Sequence, residues 1–197
     1  MPLARRDDRY HTYADYLTWP DDVRYELVDG VAYLMVPAPD LAHQDVVGEI
    51  YFQLRTALGE GPCRPFIAPV EVRLPKSDET DAQVDTVVQP DVLVVCDPSG
   101  LDRRGVRGAP DLVVEVLSPA TAGHDHVVKR RIYERAGVKE YWLVHPVDRI
   151  VTIYRLEGSG YGAPLVQELT GASEVGVLPG VAIRWDALVA RLPAVET

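Results

Sequence analysis

An α/β fold built on one central sheet is what this 197-residue sequence predicts, and three features predict it. Leu112 to Leu117 is aliphatic except at Glu115 and is ended by Ser118-Pro119. So short a run reads as a strand covered on both faces. Gln89 to Val95, QPDVLVV, has the same form, with Asp91 leading the aliphatic strand. Two stretches of helical character, Leu41 to Leu58 and Ala120 to Ala136, stand before and after this pair.

A chain of this length buries roughly 70% of its unfolded surface and fits a single domain, residues 1–197, with a full core. Its 47% hydrophobic content is that of a globular protein. The longest apolar runs are far too short to span a bilayer, and MPLARRDDRYH has no apolar leader-like segment, so a cytoplasmic protein without a membrane partner is expected. Cys63 and Cys96 sit beside or inside expected strands without metal-site spacing, and are expected to be reduced core residues. The net charge of −10 argues against a surface built for generic nucleic-acid binding, while leaving room for a local cationic groove. Seventeen of the twenty basic residues are arginines. Arginine is the better phosphate clamp, although genome composition alone also produces such a bias.

In chain order, Thr12 to Trp19 reads as a short helix, capped by Thr12 and closed by Pro20. RYELVDGVAYLMV follows as a hairpin about Asp29-Gly30, with Glu26 on its first strand. Pro37-Ala-Pro39 breaks the pattern. Asp40 caps the long helix, whose stripe is Val46, Val47, Ile50, Leu54 and Leu58, and Gly59 and Gly61 end it. His43 lies in its first turn. Cys63 to Ile67 and Val70 to Leu74 read as strands, the second alternating, with Glu71 and Arg73 on a wet face. Lys76 to Asp85 is an acidic, solvated loop without a calcium-binding pattern.

Asp97 to Pro110 reads as a long glycine- and arginine-bearing loop, exposed and charged, that could be mobile and could bring Arg103, Arg104 and Arg107 to phosphates. After the Glu115 strand, the helix to Ala136 is stopped by Gly137. Asp125, Lys129 and Tyr133 are four apart and share a face. Val138 to His145 is a buried strand and Arg149 to Leu156 pairs with it. Leu165 to Leu169 is an edge strand, Gly180 to Trp185 one more, and Asp186 caps a last helix to Leu192.

A carboxylate inside a buried strand loses its hydration, so Glu115 is protonated, paired with a cation or bound to metal. The plainer account makes Asp91 a strand-start turn residue, Glu115 a salt-bridged one, and Asp125–Lys129 a surface pair. A site explains Asp91 and Glu115 together. Two neighbouring acids repel unless one takes a proton or a divalent cation lies between them. Lys129, from the following helix, stands at the border of the buried stripe, where its ammonium can reach over the sheet. Such a group offsets charge on a phosphoryl transition state or positions an attacking water.

YELVDGVAYLM, QPDVLVV, PDLVVEVLSPAT, the D-x3-K-x3-Y spacing and GVKEYWLV, in this order, resemble the Uma-type family of restriction-endonuclease-like proteins within the PD-(D/E)XK nuclease superfamily. The resemblance runs from about Thr12 to Leu192, so the core is 12–192. It implies a restriction-endonuclease-like α/β/α core with a central mixed sheet, preceded by an N-terminal helix and hairpin. It also implies magnesium or manganese held by Asp91, Glu115 and the Val116 carbonyl, with Glu26 completing the acidic pocket. The superfamily's usual lysine position is Leu117 here, and the resemblance moves that role to Lys129. His43 matches a histidine often found after the first hairpin, and Asp125 and Tyr133 are additional candidates. His145 stands where the family more often has Asp, outside the expected metal site.

The expected function is a divalent-metal-dependent endonuclease acting on DNA, with room for a homodimer. The alternatives are a non-catalytic nucleic-acid-binding or regulatory module on the same fold, and a metal-dependent hydrolase of RNA or small phosphate esters.

Overall fold

The computed structural model describes residues 3–20, 22–35, 40–118 and 122–193. Its elements in chain order are α1 (Tyr13–Tyr16), β1 (Tyr25–Val28), β2 (Val31–Leu34), α2 (Leu41–Leu58), β3 (Arg64–Ile67), β4 (Val72–Arg73), β5 (Val87–Val88) and β6 (Val92–Val95). There follow β7 (Leu101–Asp102), β8 (Gly105–Arg107), β9 (Leu112–Val116), a π-helical turn (His124–Lys129), α3 (Arg130–Ala136) and β10 (Glu140–His145). The chain closes with β11 (Ile150–Glu157), β12 (Gly160–Tyr161), β13 (Leu165–Glu168), β14 (Ala172–Glu174), β15 (Ala182–Arg184) and α4 (Asp186–Val189). The Pro37-Ala-Pro39 break and the Ala120-Thr121 start of the third helix lie outside the described residues.

The central sheet is mixed. Its order is β12-β11-β10-β9-β6-β3, with β13 also on β11. β9 runs parallel to β10 and antiparallel to β6. Leu112, Val114 and Val116 face α2, where Val46, Val47, Ile50 and Leu54 form the buried stripe. Val113 and Leu117 face the other way, toward Ile132 and Tyr133 of α3. Glu115 lies between those two in the alternation, so the strand turns its one acid toward α3. The 18-residue α2 starts as expected: Asp40 accepts from the His43 backbone N–H at 2.8 Å. Asp29 and Gly30 both have positive φ, 47° and 79°, the geometry of a tight hairpin turn.

A second sheet, β2-β1-β5-β4-β8-β7, packs on the α3 side and was not expected as a separate layer. It corrects several readings. Asp97 to Pro110 is not one long free loop, because its middle is the β7–β8 hairpin. Arg73 is not on a wet face. It is fully buried, with its guanidinium bonded to Asp81 and, at 2.6 Å, to Asp102, and it lies over the Tyr13 ring. Nor is Lys76 to Asp85 simply solvated: Asp85 is buried and bonded by Lys76 Nζ at 2.7 Å. Alternation finds the faces of a strand but not the distant carboxylates that allow a cation to go inside.

The two cysteines are also corrected. Cys63 and Cys96 form a disulfide. They lie one residue outside the β3–β6 ladder, in which Arg64 pairs with Val95; antiparallel pairing therefore brings together residues separated by 33 positions. The last helix begins at Asp186 rather than being capped by it, and the Asp186 carboxylate accepts from the Gly171 N–H. No described helix is long and apolar enough to cross a membrane.

Candidate active site

Continuing the antiparallel register of β6 and β9, in which Val92 faces Val114, brings Asp91 opposite Glu115. Asp91 is fixed at the strand entrance. Its Oδ2 accepts from the Val116 N–H at 2.8 Å and lies 3.2 Å from His43 Nε2. Burial alone would lower the His43 pKa, but the bond and charge of Asp91, aided by Asp40 and the Val116 backbone, outweigh it and raise the pKa.

Behind this entrance lies Lys129. Its Nζ stands 2.9 Å from Glu26 Oε1, 3.0 Å from Glu115 Oε1 and 3.5 Å from Asp125 Oδ1. Tyr133 donates to the same Glu115 oxygen at 2.8 Å. Glu26 accepts in addition from the Gln89 backbone N–H at 2.8 Å. Glu26, Glu115, Asp125 and Lys129 are all buried. Asp91 beside them is more open, its side chain 21% exposed.

The π-helical turn sets this geometry. The Arg130 N–H reaches back five residues to the Asp125 carbonyl, and the Tyr141 hydroxyl donates to the same carbonyl at 3.1 Å. π turns are rare and concentrate at functional positions. Here Asp125 and Lys129 lie within the turn, with Tyr133 one turn beyond, and the lysine faces the sheet rather than solvent.

Three carboxyls around one ammonium leave an excess of negative charge. Burial, ahead of the repulsion from Asp125, Asp91 and Glu26, pushes the Glu115 carboxyl well above the ordinary range despite the pull of Lys129. Burial works against the Lys129 charge, yet Glu115, Glu26 and Asp125 hold its pKa well above normal. Lys129 is thereby held toward its charged form, while Glu115 is pushed toward its protonated one. Burial likewise raises the Tyr133 hydroxyl, with Glu115 and Glu26 adding to it.

The residues that the sequence proposed for the catalytic and metal site meet here: Glu26, His43, Asp91, Glu115, Val116, Asp125, Lys129 and Tyr133. Two more belong with them. Gln89 orients Glu26 through its backbone, and its place beside Asp91 was the available signal. His124 Nε2 lies 3.8 Å from Glu26 Oε2 without a hydrogen-bond partner, and burial lowers its pKa. Only the π turn reveals it. Arg107 does not come to the site; its guanidinium bonds Asp81 at 2.8 Å. His145 sits apart with His126 and Asp148.

Residues 13–186 match the Uma2 family, described as "Putative restriction endonuclease". An uncharacterized Synechocystis sp. protein, slr1290, is 27% identical over 151 residues, 74% of each chain. A crystal structure described as "a putative nuclease belonging to DUF820 from Anabaena variabilis" shares the fold. Its TM-score is 0.73 at 18% identity, over 92% of this chain and 99% of that one.

Proposed function

This chain belongs to the Uma2 family, and from that premise we propose that it is a magnesium- or manganese-dependent endonuclease hydrolysing phosphodiester bonds in DNA. The family description and the shared fold support a nuclease-like hydrolase in general. The observation that carries the finer reading is Lys129, a buried ammonium held by Glu26 and Glu115 beside Asp91.

The donors suit a hard divalent cation. Asp91, Glu115 and the Val116 carbonyl would hold it, and all three offer oxygen. Among the described residues no three His, Cys, Asp or Glu side chains converge into a complete cage. Two carboxylates and a carbonyl leave the remaining positions to water and substrate phosphate, as magnesium prefers. Burial, and after it the acidic neighbours, raises the Glu115 pKa, and a bound cation would favour the ionised carboxylate instead. The cation, when bound, would lower the pKa of a coordinated water and neutralise phosphate charge.

The chain's own residues divide the remaining work. Lys129 is fixed by two short ion pairs, so its charge is in place before reaction to position water or offset charge on the phosphoryl oxygens. Tyr133 orients Glu115, and Gln89 orients Glu26. His43 and the Val116 N–H aim Asp91.

Purified protein should nick supercoiled plasmid with magnesium or manganese, and a chelator or Glu115→Ala should abolish the nicking. Metal binding without plasmid cleavage would turn the reading toward RNA or small phosphate esters. Neither metal binding nor cleavage would leave a non-catalytic binding module.

A further inference from the structure

A cleft of about 690 Å³ opens on the far side of Gln89 from the acidic pocket. That volume lies within the range of roughly 300–1,000 Å³ that encloses small organic ligands. Its chemistry differs from that of the protein as a whole. Tyr16, Trp19 and Phe66 contribute aromatic surface. Tyr16 and Trp19 have ring centroids 5.3 Å apart, and the Arg64 guanidinium lies over the Phe66 ring at 5.1 Å.

Four arginines line the cleft: Arg24, Arg64, Arg103 and Arg104. Among the described residues none of them has a carboxylate ion-pair partner. The two acids in the lining are already engaged, Glu71 by the Tyr13 hydroxyl at 2.9 Å and Asp102 by Arg73 at 2.6 Å. A chain of net charge −10 thus gathers four guanidinium groups that no described carboxylate neutralises on one aromatic-lined cleft. This is the complement of a ligand that is planar and anionic together. Stacking surface and arginine in one groove suit an unpaired base with its phosphate, whereas paired bases present only their edges.

We propose that this cleft seats an unpaired nucleotide of a single polynucleotide strand, next to the phosphodiester that enters at Asp91; the proposal rests on the nuclease reading of that neighbouring site. Gln89 connects the two. Its side chain belongs to the cleft, where its Oε1 accepts from Arg24 and its Nε2 donates to the Tyr16 hydroxyl at 3.3 Å. Its backbone N–H donates to Glu26, and Asp91 is two residues further along. Arg103 and Arg104 form the turn between β7 and β8, where their side chains are exposed and can meet the backbone of a strand leaving the cleft.

Tryptophan fluorescence reads this cleft selectively. Trp142 and Trp185 are fully buried, whereas Trp19 is partly exposed and lines the cleft. The experiment titrates wild-type protein in chelator, where a cation-dependent enzyme cannot cut, with a short single-stranded oligonucleotide and with its duplex. The single strand is expected to quench Trp19 and to bind at least about tenfold more tightly than the duplex. Replacing both exposed arginines, Arg103→Ala with Arg104→Ala, is expected to weaken binding about tenfold and to flatten its salt dependence. Equal or tighter duplex binding, or no response of Trp19, overturns the proposal. So does a double variant that binds as wild type does. Quenching in chelator together with an inert plasmid assay would sink nuclease activity while the cleft stands. Cleavage without quenching would do the reverse.

Discussion

Lys129 Nζ stands 3.0 Å from Glu115 Oε1 across 14 residues of chain, and the pairing depends on a π-helical turn between them. An isolated ammonium at this depth would be expelled or neutralised. Here the carboxylates of Glu26, Glu115 and Asp125 keep it charged. The same ion pairs that stabilise the lysine fix its position for chemistry.

Removing the lysine charge should therefore act twice. Lys129→Met leaves buried carboxyls without their counter-ion and should destabilise the fold by about 3–5 kcal/mol. Chemical denaturation checks the loss of stability. Calorimetric titration of manganese should still show binding, because Lys129 is not among the proposed ligands.

Glu115→Gln should have the opposite effect on stability without metal. A carboxyl whose folded pKa is raised binds more protons folded than unfolded, so wild-type stability falls as pH rises above the unfolded value of about 4.3. The amide cannot ionise. In chelator at pH 8 the variant should melt at or above the wild-type temperature. Magnesium should raise the melting temperature of wild type only. A variant that melts well below wild type in chelator would contradict the charge excess assigned to this pocket.

Asp85 gives a pH dependence of the other sign. Its burial raises the carboxyl pKa, but hydrogen bonds from Lys76, Tyr10 and Thr86 outweigh that and hold it below the ordinary 3.8. A lowered folded pKa contributes stability that is present above the unfolded value and lost as pH falls through the folded one. Asp85→Asn should be less stable at pH 7 and lose less on going from pH 5 to pH 2, read by denaturation at each pH.

The Cys63–Cys96 bond closes a loop of 33 residues, for which chain entropy allows at most roughly 3–4 kcal/mol of stabilisation. Thiol titration of the unfolded, unreduced protein should find no free cysteine, and reduction should lower the melting temperature. Two free thiols would contradict the pairing. Such bonds are uncommon where glutathione and thioredoxin keep thiols reduced.

Asp91 and Glu115 were legible because each is the lone acid in an aliphatic run, and burial leaves such a residue few explanations. Lys129 was legible from its border position on the helical stripe. Its inward reach was not fully so, because residue spacing does not announce the five-residue turn, whose Asp125 carbonyl also accepts from the distant Tyr141 hydroxyl. Arg73 and the disulfide escaped for a shared reason. Both depend on partners that only the strand pairing brings near: Asp102 across β4–β8–β7 and Cys96 across β3–β6. The hairpin and α2 were readable because a tight turn and a capped helix are set by neighbours in sequence. The second sheet, made largely of two- to four-residue strands, leaves too short a pattern to read.

Glu140 shows how a motif residue can serve the core. In the sequence it stood out only as part of the GVKEYWLV stretch, and the structure buries it in β10. There its carboxylate accepts from the Trp142 indole N–H at 2.7 Å and from the Val177 N–H at 2.9 Å. Its acid ties the C-terminal segment to the central sheet, apart from the acidic pocket.

The most direct measurement is single-turnover nicking of supercoiled plasmid in manganese by wild type and by Lys129→Met, each first shown to be folded and to bind the metal. The expected result is open-circular product from wild type that vanishes in chelator, and a rate lower by about 10²–10³-fold in the variant. Wild type that binds manganese yet leaves the plasmid intact, or a variant that nicks as fast as wild type, would contradict the central claim.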